Sequence, residues 1–167
     1  EELEIPVYSM NDKIIGGHLD LAIDGADEVD PDNNVIKGGG AALLREKIVA
    51  YNAEQFVIVA DSTKVVDSLG TKFRLPVEII GEARVPVTKA LEALGAECVL
   101  REGVKKCGPV ITDNGNQILD ILWKEPVNPC MMEDKINSIV GVVEVGFFTK
   151  NKPIVFTMNS DCNVIQR

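Results

Sequence analysis

Residues Leu21 to Ala50 read LAIDGADEVDPDNNVIKGGGAALLREKIVA, and this stretch decides the fold. It opens inside a short apolar run, Leu19 to Ile23, that stops at Asp24-Gly25. Such a run predicts a buried strand feeding a loop. The loop DGADEVDPDNN is dense in turn formers. Val35-Ile36 predicts a second short strand. Lys37 and three glycines follow, and the Ala, Leu and Ile spacing from Ala41 to Asn52 predicts a helix. Phe56 to Ala60 (FVIVA) predicts another buried strand, again followed by Asp. Strand, helix, strand with unbroken apolar strands is the pattern of a parallel α/β sheet.

The pattern changes after Gly70. Val77 to Ile80 predicts a strand, and Val87 to Leu94 a helix stopped by Gly95. Glu97 to Arg101 and Val110 to Thr112 predict paired strands. Asp113-Asn114-Gly115-Asn116 predicts a hairpin turn, because Asn and Gly tolerate positive φ. Gln117 to Ile121 is the return strand. Met131 to Ile139 predicts a helix and Val142 to Phe148 a strand. This order predicts a small α+β unit of ferredoxin-like type over residues 75–148. Pro153 to Thr157 predicts a last strand rejoining the first unit. The expected division is a Rossmann-like core over 1–74 and 149–167 with an inserted lid over 75–148. A doubly wound domain ordinarily has a strand, a phosphate-binding loop and a helix ahead of the Asp24 loop. The chain is therefore expected to lack the N-terminal part of such a core.

Composition narrows the function. The 167 residues are 46% hydrophobic and 26% charged, the profile of a soluble globular protein. No apolar run approaches a bilayer span, and EELEIPVYSM lacks a signal-peptide pattern. A net charge of −9 disfavours a nucleic-acid groove. It leaves room for an anionic small substrate, because a few local lysines outweigh a global field. Cys98, Cys107, Cys130 and Cys162 form no C-x-x-C pair, and the chain has one His, so no zinc spacing arises. Reduced thiols and a cytoplasmic location are expected.

Asp24 and Asp27 sit where open α/β sheets bind ligands, beyond the carboxyl end of a strand. Two carboxylates there suit sugar hydroxyls and proton transfer between oxygens, although a solvated acidic loop has the same composition. An EF-hand is excluded, because the loop lacks the required Gly and terminal Glu. Lys37-Gly38-Gly39-Gly40 lets backbone amides and a helix N-terminus approach a ligand. The order of residues is neither that of a P-loop nor of a dinucleotide fingerprint. Glu46 lies in the second turn of the predicted helix, where a lone Glu is ordinarily a solvated face residue. Lys64 in ADSTK and His18 carry no signal of their own.

The same stretch resembles the A-type ribose-5-phosphate isomerases. Asp24 to Glu28 (DGADE) and Lys37 to Lys47 (KGGGAALLREK) match both family signatures. ADSTK, LPVEII at Leu75 to Ile80, VITDNGNQILD at Val110 to Asp120 and GVVEVGFF at Gly141 to Phe148 follow in order. The resemblance implies interconversion of ribose 5-phosphate and ribulose 5-phosphate through an enediolate, with no metal and no other cofactor. It implies that Glu46 is the base and that Lys37 and the Gly38 to Gly40 amides stabilise the enediolate oxygen. It implies that Asp24, Gly25, Ala26 and Asp27 bind hydroxyls, that Asp24 assists ring opening, and that Lys64 helps hold the phosphate. It implies a homodimer or homotetramer with no membrane or nucleic-acid partner. Proteins of this family carry an N-terminal Thr-Gly-Ser-Thr phosphate loop, which these residues do not contain. A sugar-phosphate sensor, an amino-sugar phosphate deaminase and an inactive remnant are the rival readings. The sensor lacks a basic helix-turn-helix, and the deaminase lacks the paired signatures.

Overall fold

The structure, a computed structural model, describes residues 3–105, 107–158, 161 and 163–167. Strand β1 (Leu19–Asp24) leads into the short antiparallel pair β2 (Glu28–Val29) and β3 (Val35–Ile36), then helix α1 (Leu43–Tyr51) and strand β4 (Ala53–Asp61). β1 and β4 are parallel, with Leu21 opposite Gln55 and Ile23 opposite Val57. The predicted strand–helix–strand unit is therefore present. One correction is that Glu28-Val29, expected in a loop, forms β2. Both residues are buried, and the turn closes on Asp30, whose carboxylate accepts from the amides of Asp32 (2.9 Å) and Asn34 (2.8 Å). Asn33 supplies the left-handed residue of that turn at φ 59°.

A second sheet follows. It contains β5 (Leu75–Ile79), β6 (Glu97–Leu100), β7 (Gln117–Leu122) and β8 (Val142–Val145), antiparallel in the order β6-β7-β5-β8. Helices α2 (Arg84–Ala93) and α3 (Pro129–Asn137) pack on it through Val87, Leu91 and Ile136, against Val77, Ile79, Leu119, Ile121 and Val145. Gly95 ends α2 at φ +84°, as expected. Pro86 sits inside the first turn of α2 rather than ahead of it, where a missing N–H costs nothing. The partner of β6 is β7, not Val110 to Thr112. The latter segment makes only isolated bridges, because residues 102–116 leave the sheet as an excursion. Its turn is the predicted one, but only Gly115 of the Asn-Gly pair takes positive φ, at +81°.

The expected single strand Val142 to Phe148 is two. β8 ends at Val145, and β9 (Phe147–Phe148) pairs with β3 in a separate small sheet. The chain changes sheets at Gly146, whose N–H donates to Pro76 O (2.8 Å) and whose carbonyl accepts from Lys37 N–H (3.0 Å). A Cβ there would lie 2.9 Å from Pro76 Cδ and would collide with the Lys37 carbonyl. Gly146→Ala is expected to cost about 1–3 kcal/mol by overpacking and to lower Tm measurably. A thermal melt that superimposes on the wild type would contradict this.

The chain then returns to the first sheet. β10 (Ile154–Met158) lies parallel to β4, and β11 (Val164–Gln166) adds an antiparallel edge, giving β1-β4-β10-β11. The sheet is thus mixed. Its strands are not buried on both faces, as their apolar runs suggested. Ala22, Phe56, Ile58 and Val155 point into a core shared with α1 and Phe148. Leu21, Ile23 and Val59 lie on the other face, 46%, 64% and 56% exposed, and no helix among the described residues covers them. No helix of the described residues is long and apolar enough to cross a membrane. Cys98, Cys107 and Cys130 are free thiols, and burial pushes the Cys98 thiol up to about 11. Cys162 lies outside the described residues.

Candidate active site

Lys37 follows β3 and turns inward, its side chain only 3% exposed. Its ammonium lies 2.8 Å from Asp24 Oδ2, donates to Gly25 O at 2.7 Å, and stands 3.6 Å from Glu46 Oε2. A buried ammonium is costly unless its donors are met. Asp24 and the Gly25 carbonyl, both at the carboxyl end of β1, meet two of them. The third direction faces Glu46.

The glycines after Lys37 form a tight turn. Gly38 has φ +101°, and a Cβ there would sit 2.7 Å from Leu43 Cβ. Gly39 N–H donates to Asp27 Oδ2 at 2.8 Å, and a Cβ on Gly39 would lie 2.6 Å from Asp27 Oδ1. Ala41, at φ 64°, closes the turn by donating to Gly38 O (2.9 Å). Helix α1 begins at Leu43, two residues later than expected. Its N-cap, Ala42, offers no side-chain acceptor, so the first helical amides keep positive potential facing outward. Glu46 consequently sits in the first turn of α1, not the second.

Glu46 is three-quarters buried, with 24% side-chain exposure. Its Oε2 atom is inaccessible and has no hydrogen-bond partner among the described residues. Burial raises its carboxyl above the ordinary glutamate value. Lys37 opposes that shift, and the negative charges of Asp24 and Asp27 add to it. A largely buried carboxyl with a raised proton affinity, lining a cleft beside an ammonium, is a candidate proton acceptor.

Asp24, Gly25, Ala26, Asp27, Lys37, Gly38, Gly39, Gly40 and Glu46 together line one cleft of about 220 Å³. Lys64 does not. It belongs to a short helical turn (Ser62–Lys64) after β4 and lines a neighbouring hollow of about 240 Å³ with Thr63, Lys72 and Phe73. Asp27 borders both. Asp61, which ends β4, caps that turn through Thr63, whose hydrogen bonds hold its carboxyl below the usual range. His18 is exposed, 3.3 Å from Glu54 and away from the cleft lining. Among the described residues no group of three His, Cys, Asp or Glu is placed to hold a metal ion.

Three further residues support this geometry. Arg101 donates from Nη1 to the carbonyls of Gly38 (3.1 Å) and Gly39 (2.9 Å). Lys47, next to Glu46, is buried among Glu133 Oε1 (3.1 Å), Glu144 Oε1 (2.8 Å) and Val145 O (2.7 Å), which ties α1 to α3 and β8. Gly146 abuts the Lys37 backbone. Only Gly146 leaves a trace in sequence, as an isolated glycine inside an apolar strand run, a mark of close backbone approach.

The family model for ribose 5-phosphate isomerase A (phosphoriboisomerase A) matches residues 1–161. The Ribose-5-phosphate isomerase A of Treponema denticola is 61% identical over 166 residues, which are 98% of this chain and 70% of that protein. That of Treponema pallidum is 50% identical over 169 residues, covering 100% of this chain and 66% of that protein. The chain thus spans about two thirds of the length of these relatives. A solved D-ribose-5-phosphate isomerase in complex with phospho-erythronic acid superimposes with a TM-score of 0.91 at 41% identity, covering 99% of this chain and 72% of that one. With the backbone, the order of the motifs and the family model all in agreement, this chain belongs to the ribose 5-phosphate isomerase A family.

Proposed function

We propose that the chain carries the proton-transfer centre of an aldose–ketose isomerase acting on D-ribose 5-phosphate and D-ribulose 5-phosphate. The observation that carries this reading is the largely buried carboxyl of Glu46, which lines the cleft with Oε2 3.6 Å from the Lys37 ammonium. A pure binding site has no use for an internal carboxyl whose burial raises its affinity for a proton. In the open-chain aldose, Glu46 takes the proton from C2. The C–H electron pair forms the C1–C2 double bond, and the carbonyl pair moves to O1. The resulting enediolate is stabilised by Lys37 and by amides of the glycine turn. The O2 proton passes to O1, Glu46 returns its own proton to C1, and the electron pair left on O2 closes the C2 ketone. Asp24 and Asp27 accept from sugar hydroxyls at the mouth of β1, and Asp24 assists ring opening. Lys64, in the adjoining hollow, is placed to attract the phosphate. The relative solved with phospho-erythronic acid, a phosphorylated sugar acid, supports a ligand of this class.

The antiparallel sheet over 75–148 is the inserted ferredoxin-like lid of this reading, and 1–74 with 149–167 its Rossmann-like core. A homodimer or homotetramer in the cytoplasm belongs to the same proposal.

The raised carboxyl of Glu46 sets a pH dependence. Only the ionised form accepts a proton from carbon. The acid limb of kcat/KM is therefore expected above the ordinary glutamate value of 4.5, with activity lost as pH falls through it. Stability has the opposite sign. Between 4.5 and the raised value the folded chain binds more protons than the unfolded chain, so this group's contribution falls as pH rises. A pH–rate profile whose acid limb lies at or below 4.5 would contradict the assignment.

The direct test is a coupled assay of ribulose 5-phosphate formation by the purified chain. Turnover abolished by Glu46→Gln supports the reading, and turnover indifferent to it refutes it.

A further inference from the structure

Arg101 follows β6 in the antiparallel sheet, far in sequence from the glycine turn, and four of its five guanidinium N–H groups have acceptors. Nε and Nη2 form a two-pronged pair with Asp120 of β7, at 2.7 Å and 2.5 Å. Nη1 donates to the consecutive carbonyls of Gly38 and Gly39. Arg101 and Asp120 are each only 16% exposed, so the pair is rigid and poorly screened.

Two carbonyls turned toward one guanidinium have a geometric consequence. In a trans peptide the C=O and N–H point in opposite directions. The peptide whose carbonyl is Gly38 O carries the Gly39 N–H, and that N–H donates to Asp27 on the other side. The peptide whose carbonyl is Gly39 O carries the Gly40 N–H. It therefore points away from Arg101, and it has no acceptor among the described residues. Gly40 lines the cleft, Arg101 does not, and the space beside Gly40 is open to 4 Å. A carbonyl that accepts from a cation also polarises the N–H of its own peptide.

We infer that Arg101, clamped by Asp120, is a positioning residue that orients the glycine turn so that the Gly40 amide donates to the oxyanion of the reaction intermediate. Its catalytic consequence rests on the isomerase reading, and its geometric consequence does not. Lysine is no substitute, because an ammonium lacks the planar fork that engages Asp120 and both carbonyls at once.

The test compares wild type, Arg101→Ala, Arg101→Lys and Asp120→Asn. In the assay, Arg101→Ala is expected to lower kcat about 10-fold to 10²-fold, on the scale of a lost oxyanion donor, with KM for ribose 5-phosphate within about threefold. Arg101→Lys and Asp120→Asn are expected to fall between. Amide hydrogen exchange gives a readout independent of turnover. Exchange at Gly39, protected through Asp27, is expected to rise at least about 10-fold in Arg101→Ala, with Val77 in β5 unchanged. Unchanged exchange at Gly39, or kcat within twofold of an active wild type, overturns the inference. A wild type that folds but does not turn over refutes the isomerase reading instead, and the exchange experiment still decides the role of Arg101.

Discussion

Glu46→Gln is expected to lower turnover of ribose 5-phosphate at least ~10²-fold, the scale of a lost general base, while the chain folds as before. The amide keeps the volume and shape of the carboxyl, so α1 and the cleft are unchanged. It has no basicity toward carbon, so the C2 proton has nowhere to go. KM should change little, because Asp24, Asp27 and the glycine turn still hold the sugar. Stability gives a second check. Burial disfavours the charged form of Glu46, so a neutral amide removes a cost, and Tm at neutral pH should hold or rise. A large drop in Tm would show that Glu46 is structural. Near wild-type turnover would show that another group is the base.

Lys47→Met is expected to cost about 3–5 kcal/mol, the range for breaking a buried ion pair from one side. On a chain of this size that lowers Tm on the order of 10 °C. Methionine fills the space of the lysine stem but cannot donate. Glu133, 1% exposed, and Glu144 then lose the one ammonium that bonds both of them, and Lys150, at the rim of the same hollow, is paired with Asp134. The ammonium's position 4.8 Å from the Phe148 ring centre is lost as well. Glu133 keeps donors in Thr149 and Tyr51, whose hydroxyl is itself raised by burial and by that carboxylate. Adding Glu133→Gln to Lys47→Met should therefore recover part of the loss. Denaturant titration of the single and double variants measures both. A single variant within about 0.5 kcal/mol of wild type, the surface range, would contradict the network's role. Turnover should fall with Lys47→Met also, because this lysine anchors the helix that presents Glu46.

How much of this was legible in the sequence follows from separation along the chain. Asp27 and Gly39 lie 12 residues apart, as do Gly25 and Lys37. One strand, one hairpin and one turn bring them together, and both motifs announce themselves by glycine and charge. Arg101 lies 63 residues from Gly38, and Lys47 lies 86 from Glu133 and 97 from Glu144. Those pairs form only when the two sheets dock, so no local spacing records them. The burial of β1 and β4 was misread for a related reason. LDLAI is apolar but for Asp20 and FVIVA is apolar throughout, and periodicity reports what a residue prefers, not whether a neighbour covers it. Val142 to Phe148 read as one strand because its apolar run is broken only at Glu144, as a strand allows, and at Gly146, the residue at which it changes sheets. Lys64 was placed with the site by family resemblance, and it lies in the next hollow, not in the cleft that holds Glu46.

The most direct measurement of the central claim is NMR of ribose 5-phosphate incubated in D2O with the purified, folded chain and no added metal. Proton transfer by Glu46 through an enediolate predicts ribulose 5-phosphate carrying deuterium at C1, and neither product nor label with Glu46→Gln. A folded wild-type chain that leaves ribose 5-phosphate unconverted, with its C2 hydrogen intact, would contradict it.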